Sequence, residues 1–532
     1  MTGRRALLVL VALTPLALAA RWSWYQDGKG AAFLPSPDSL EYAASAQSIA
    51  ADGTFLLQIG PHRVRPRYSP GWPLVQTLAL RAGADGARLW RFTAIFGALL
   101  ASGIALATMT ALECRRGDRE TGCDGETERS RSAIAFGLGA GVLWCWSPLS
   151  ASSGGTLMSD EPTALASFTA LACATVAFLR AAPVERTRSG AASVGWALGA
   201  GFAAGLALTM RTVEGLLLAP PLALLALRSA RIHGWGRAGR LTLLALTGVL
   251  PPVMATGVVL ARSGLSPWQW SAYPFWAPER FGSLDVTFSW RYAWIANPHI
   301  PAVVGSETVG QLRAYGLTFL GLTPPHGWAH FGTLWPALGW LALAGLVAAG
   351  VVAARRAGPT AGNAAGNALT VTVAVAGWCA SHWLVFGAYF YPDPRFVLGA
   401  LAWCPVALAT ALGALARASS ARVRRAAWLA SALIVALVIG DGWAHHPKRR
   451  LWEPKNEETR AAVERWLAAD DQGRREETIP FDPVLAQALG LLPPERTRTI
   501  REWGALPATK QVNLLRRNGY LEGESARNDQ NR

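Results

Sequence analysis

Eleven apolar runs recur along the chain, near 5–22, 88–112, 133–150, 161–181, 191–209, 213–228, 240–261, 332–354, 368–388, 396–416 and 425–442. Nothing else in the sequence restricts the fold so strongly. Each run is close to the ~20 residues that cross ~30 Å of hydrocarbon as a helix. In lipid, only helices and closed barrels satisfy every backbone polar group. A soluble domain would have to bury all these runs against one another in an implausibly large core. Charged residues are 16% of the 532-residue chain, against roughly 25% in soluble domains. The expected fold class is an all-α polytopic membrane protein with about eleven transmembrane helices.

The net charge of +16 matches a nucleic-acid binder in size but not in placement. The arginines cluster between the spans, in ECRRGDRETGCDGETERSRS, RAAPVERTRS, RSARIHGWGRAGR, ARRAG and RASSARVRR. That is the positive-inside bias, and it puts the N-terminus inside. The expected partner is the lipid bilayer, and no nucleic acid is expected. The outer segments are then 23–87, a short link near 151–160, the 210–213 turn, 262–331, the YPDPR link and the tail from 443. Two domains are expected: a transmembrane domain over 1–442, with outer loops 23–87 and 262–331, and an extracytoplasmic tail or small accessory domain over 443–532. The first run has a basic start and an ALA-like end, so it reads as a retained span or as a cleavable signal peptide.

Cys145, Cys173, Cys379 and Cys404 lie in apolar runs, and Cys114 and Cys123 lie in an inner loop. No disulfide framework is indicated. The loop 262–331 carries Trp268, Trp270, Tyr273, Phe275, Trp276, Trp290, Tyr292 and Trp294. This density suits an interfacial belt or a stacking surface over a site. His326 and His330 are four apart and offer two zinc ligands without a third. His445 and His446 read as a solvated link.

The acids near the spans gather on the predicted outer face. Asp38 and Glu41 lie in SPDSLEYAASAQSIAADGT, three apart and so on one side of a helix. Asp160 and Glu161 open a span in LMSDEPTALASF. Arg211 and Glu214 lie at a turn in LTMRTVEGLLL. Asp393 and Arg395 lie in YPDPRF, and Arg63, Arg65 and Arg67 add cations in PHRVRPRYSP. Any one of these is an ordinary solvated helix end, and Arg211–Glu214 also reads as a packing ion pair. Together they suit one chemistry. A lipid-phosphate sugar has an anionic leaving group, which Arg binds bidentately. A carboxylate takes the proton of an attacking hydroxyl or amine.

Four stretches carry a family likeness. They are PDSLEYAASAQSIAADGTF with YSPGWPLVQTLAL, LMSDEPTALASFTALA, AAGLALTMRTVEGLLLAPPLALL, and YPDPRFVLGALAWCPVALA. In this order the chain resembles the multispanning GT-C glycosyltransferases, which include the dolichyl-phosphate-mannose protein mannosyltransferases and the aminoarabinose transferases. It is nearest to bacterial members. The resemblance covers about the first 415 residues. It implies a retained first span and an inverting transfer from a polyprenyl-phosphate sugar to a glycan, lipid or protein acceptor. It also implies a site on the outer face of a bacterial plasma membrane.

By resemblance Asp38 is the candidate base, with Glu41 beside it on the helix. Asp160 and Glu161 form the second acidic motif. Arg211 and Arg395 join Arg63, Arg65 and Arg67 as candidate phosphate ligands, and Tyr68, Glu214 and Asp393 line the substrate. Some relatives hold a divalent metal between two acidic motifs. Asp38 with Asp160 and Glu161 is the place for one here, although no cofactor is required from the sequence. MRTVEG stands where R-P-E-G is commoner, and RFVLGALAWCP where Tyr and an earlier Pro are usual. The competing classes are a transporter or lipid flippase, which would show midplane charges and inverted repeats, and a non-catalytic envelope-assembly protein.

Overall fold

The computed structural model describes residues 11–19, 26–27, 30–31, 37–59, 62–64, 66, 68–84, 89–114, 123–147, 150, 159–179, 188–267, 335–356, 359–387, 394–418, 420–444, 461–465 and 468–469. Nine helical stretches among them are long and apolar enough to cross a membrane: Phe92–Glu113, Asp160–Leu179, Ala192–Met210, Thr212–His233, Trp235–Arg262, Trp335–Arg356, Ala365–Phe386, Leu398–Leu415 and Ala421–Asp441. They coincide with nine of the eleven expected runs, and the chain is a multi-pass membrane protein. The other two runs are not confirmed as spans. Residues 11–19 are helical (α1). The run 133–150 lies largely in α5, Cys123–Trp146, whose first turns carry Asp124, Glu126, Glu128 and Arg129.

Between α1 and the next crossing helix lie α2 (Pro37–Asp52) and α3 (Gly71–Arg81). Two short antiparallel hairpins flank α2 and depart from a purely helical chain: Gln26–Asp27 with Gly30–Ala31, and Leu57–Ile59 with His62–Val64. Next come α4 (Leu89–Cys114), α5, α6 (Asp160–Leu179) and α7 (Arg188–Met210). The short α8 (Thr212–Leu217) runs into α9 (Ala219–His233), and α10 (Trp235–Arg262) returns. After the loop come α11 (Trp335–Arg356) and α12 (Pro359–Gly387). A 3-10 turn at Pro394–Val397 leads to α13 (Leu398–Leu401), α14 (Trp403–Leu415) and α15 (Ala421–Ala444).

The core lies among α4, α5, α6, α11, α12 and α14, with Phe136, Trp144, Trp335 and Trp378 fully buried in it. Helices α7 and α10 meet through glycine. A Cβ on Gly201 would strike the Ala245 carbonyl, and one on Gly248 the Leu198 carbonyl. Small residues bring membrane helices together in this way, because lipid supplies no hydrophobic drive between them. On its other side α10 exposes Leu243, Leu246, Leu250, Met254 and Val258. Their spacing of three and four makes one helical stripe, which is a surface for acyl chains rather than for water.

Helix α6 serves as a ruler. Its 20 residues span about 30 Å, the thickness of the hydrocarbon layer. Asp160 opens it, and its last residue, Leu179, accepts a 3.4 Å bond from Asn367, which in turn accepts from Arg228 at 3.2 Å. Arg417 donates to the Leu112 carbonyl at 2.7 Å, joining the ends of α14 and α4. These contacts all join residues beside the predicted inner loops. The acidic motifs meet separately, at the Asp160 end. Residues 268–334, with the loop aromatics, His326 and His330, lie outside the described residues, as do His445, His446 and nearly all of 443–532.

Candidate active site

The second motif builds a helix start. In Ser159-Asp160-Glu161-Pro162, the Ser159 carbonyl accepts from Thr163 N at 2.9 Å. The two acids fill the first turn of α6, where the helix dipole favours negative charge, and Pro162 sits where the missing N–H costs nothing. Glu161 is fully buried and accepts from Ser150 Oγ at 3.2 Å.

The third motif builds a break. Helix α7 ends at Met210, and Arg211 is extended, with φ −147° and ψ 101°. The chain then re-enters helix at Thr212. One extended residue therefore redirects the helix, while Arg211 N still donates to the Ala207 carbonyl at 2.8 Å and its carbonyl accepts from Gly215 N at 3.2 Å. Its Nη1 lies 2.7 Å from Asp160 Oδ1 and 3.9 Å from Glu214 Oε1. The guanidinium carbon stands 4.7 Å from the centre of the Phe396 ring and 6.0 Å from that of Phe386, within cation–π range. Glu214 Oε2 is 2.7 Å from His382 Nε2, on α12.

The first outer segment holds this break in place. Ser69 Oγ donates to the Thr209 carbonyl, and a Cβ on Gly71 would collide with the Thr209 carbonyl and the Met210 nitrogen. The SPGWP turn is thus pressed against the residues just before Arg211, and only glycine fits at 71. Trp72 is buried with Tyr42 and Met210, and the Tyr68 ring lies 5.0 Å from that of Tyr42. With its amide oriented to satisfy both neighbours, Gln76 accepts from Trp72 Nε1 at 2.9 Å and donates to the Tyr42 carbonyl at 3.1 Å. The hydroxyl of Tyr42, on α2, is 3.2 Å from Ser159 Oγ. The far end of α2 is tied down as well, because Phe55 N donates to Ser263 Oγ at 2.7 Å.

All four motifs therefore converge: Tyr42 on Ser159, Asp160 on Arg211, Arg211 on Phe396. The acids, however, are not solvated helix ends. Asp160, Glu161 and Glu214 are 4%, 0% and 2% exposed. Within the network the Arg211 side chain is 15% accessible, against 3% each for Asp160 and Glu214. Arg211 is the most accessible of the three.

Other expected residues are placed only in part. Asp38 and Glu41 lie in the first turns of α2, Arg63 lies on the second hairpin opposite Gln58, and Arg395 lies in the 3-10 turn. The side chains of these four are outside the described residues, and Arg65, Arg67 and Asp393 are wholly outside them. Helix register adds one fact: Asp38 is four residues before Tyr42 and so on its face. Among the described residues no three His, Cys, Asp or Glu side chains group as metal ligands.

Two residues of the network, His382 and Ser150, lie outside the motif stretches; Tyr42 and Ser159 lie inside them but are not singled out as site residues. For His382 a signal existed. It is the only Asp, Glu, His, Lys or Arg in the apolar stretch Ala365–Phe386, and such a residue within a span is a functional candidate by default.

No protein-family description matches the chain, and no curated protein does. Solved structures do. The archaeal oligosaccharyltransferase AglB from Archaeoglobus fulgidus, in complex with an inhibitory peptide and a dolichol-phosphate, aligns over 88% of this chain and 59% of its own, with TM-score 0.52 and 12% identity. The Archaeoglobus fulgidus oligosaccharyltransferase in complex with Zn and sulfate aligns over 89% and 58%, with TM-score 0.53 and 13% identity. ArnT from Cupriavidus metallidurans bound to undecaprenyl phosphate aligns over 97% and 78%, with TM-score 0.47 and 15% identity. The chain spans about 59% of the length of the AglB chain it matches. Its fold is that of the membrane oligosaccharyltransferases, and the GT-C-like architecture implied by the order of the motifs is the architecture it has.

Proposed function

We propose that this protein is an integral-membrane glycosyltransferase. It moves a sugar from a polyprenyl-phosphate donor to an acceptor on the extracytoplasmic face of a bacterial plasma membrane, with inversion at the anomeric carbon. The observation that carries the reading is the convergence of four separate motifs around one partly exposed guanidinium, Arg211, paired with the buried Asp160. The fold supports the same reading, since the AglB structure holds a dolichol-phosphate.

In this reading Arg211 and Arg395, with Arg63, Arg65 and Arg67 of the first loop, bind the donor phosphate. Asp38 takes the proton of the acceptor hydroxyl or amine. The acceptor atom bonds to the anomeric carbon as the carbon–oxygen bond to phosphate breaks, and polyprenyl phosphate leaves as the anion. Its phosphate is already a weak base, so no general acid is needed. Asp160 orients Arg211, Glu161 fixes the start of α6 through Ser150, and Tyr68, Glu214 and Asp393 line the substrate. Residues 1–442 form the catalytic domain and 443–532 an accessory tail.

A divalent ion between Asp38 and Asp160 or Glu161 would share Asp160 with a guanidinium 2.7 Å away. The described residues fit a second cation poorly, and no step here runs through one. The test is transfer by purified protein in lipid nanodiscs, given a panel of radiolabelled polyprenyl-phosphate sugars and envelope extract as acceptor. Label should leave one of the donors and appear in acceptor. Retention of label in every donor, by protein shown to be folded, contradicts the reading.

A further inference from the structure

His382 lies on α12, 168 residues from Glu214 in sequence, and is 0% exposed. Both ring nitrogens meet acceptors. Nδ1 is 3.0 Å from the Trp378 carbonyl, one helical turn back, and Nε2 is 2.7 Å from Glu214 Oε2. A carbonyl only accepts, so Nδ1 carries a hydrogen. The 2.7 Å contact then needs a proton of its own, on Nε2 or on the carboxyl.

Held by His382, Glu214 keeps its distance from Arg211, at 3.9 Å against 2.7 Å for Asp160. The fourth motif closes over the pair. A Cβ on Gly399 would stand 3.3 Å from Glu214 Oε2 and 3.8 Å from His382 Nε2. The Trp378 ring, 4.1 Å from the imidazole centre to centre, and the Phe386 ring, at 5.8 Å, wall it in. No other charged side chain makes a described contact with this imidazole.

We propose that His382 is a positioning residue for the donor-phosphate arginine: through its 2.7 Å bond to Glu214 Oε2 it keeps that carboxylate from turning onto Arg211 and taking the donors a phosphate would use. The proposal rests on Arg211 as a phosphate ligand, the reading given above. Without the imidazole, Glu214 is a buried carboxylate whose nearest described cation is Arg211. A Glu214 oxygen turned onto Arg211 then occupies donors that an incoming phosphate would use.

The experiment measures binding of undecaprenyl phosphate to the purified full chain in nanodiscs, for wild type, H382F and the double variant H382F/E214Q, with thermal melting as the check of folding. Losing one charge-assisted contact corresponds to about tenfold or more in affinity, so H382F should bind about tenfold more weakly. E214Q in the same background removes the competing charge and should restore most of the affinity, which simple damage to packing would not allow. If H382F does not fold, H382Q is compared with H382Q/E214Q. Its amide nitrogen stands in for Nε2 without sharing a proton in the same way, so a smaller loss with the same rescue is expected. Wild-type affinity in H382F, or weakened binding that E214Q leaves unrepaired, overturns the proposal alone. Wild-type protein with no measurable binding overturns the reading of Arg211, and this proposal falls with it.

Discussion

Asp38 and Glu41 share the opening turns of α2 but not its register. Asp38 precedes Tyr42 by four residues, so the two lie about 40° apart around the helix, whereas Glu41 and Tyr42 are about 100° apart. Tyr42 points its hydroxyl at Ser159, next to Asp160. By helix register alone Asp38 shares the face of Tyr42 and Glu41 does not. Asp38→Asn keeps shape and removes proton acceptance, so turnover should fall about 100-fold or more while binding of polyprenyl phosphate persists. Glu41→Gln should be much milder. Steady-state transfer by the two variants decides: a wild-type rate for Asp38→Asn with a crippled Glu41→Gln reverses the roles. At Arg211, lysine keeps the charge and loses the planar fork. Donor affinity of Arg211→Lys should drop roughly tenfold. Full removal in Arg211→Ala takes away the 2.7 Å partner of the buried Asp160 carboxylate, and breaking such a pair costs about 3–5 kcal/mol of stability. Melting temperature and affinity should fall together in Arg211→Ala, whereas Arg211→Lys should lose affinity with a smaller change in melting.

Among the elements, the least conspicuous one does the most positioning. The SPGWP turn carries no acid, yet its Gly71 lies against the backbone of Thr209 and Met210. Gly71→Val should push the Arg211 break away from Asp160. Donor binding should weaken while the protein still inserts and purifies, and a Gly71→Val protein with wild-type affinity would show that the turn does not set the arginine. The crossing helices were legible in the sequence because hydropathy over some 20 residues depends on no partner. The end of α7 was legible only as TMRTVEG between two runs. That the break is the single residue Arg211 depends on what packs beneath it. Likewise, Asp160, Glu161 and Glu214 read as candidate solvated ends because they lie at span edges. Their burial comes from α2, α3 and α13 covering that end of the bundle, which no local window contains. His382 was missed for a related reason: its partner Glu214 is on another helix, and the pairing is purely tertiary. The short hairpins around α2 left no alternating pattern, since each strand is two or three residues long.

At the scale of the whole molecule, the contacts sort into two ends. Residues beside the Arg-rich loops meet one another, as Arg417 meets Leu112 and Arg228 meets Asn367. The four motifs meet at the other end. The positive-inside bias then predicts which end faces out. In a background with Cys114 and Cys123 changed to serine, cysteine at Ala51 or Ala82, both exposed near the motifs, should react with an impermeant thiol reagent in intact spheroplasts. Cysteine at Ser420, exposed at the other end, should react only after lysis. The opposite pattern inverts the topology and moves the proposed site into the cytoplasm.

The central claim is that this chain adds a sugar to the cell envelope through the site where its four motifs meet. Mass spectrometry of envelope glycans and glycolipids tests it most directly, in a strain deleted for the protein and complemented with wild type or with Asp38→Asn at equal membrane abundance. The account predicts one sugar modification lost on deletion, restored by wild type and not by Asp38→Asn. An envelope unchanged by deletion, or fully restored by Asp38→Asn, contradicts it.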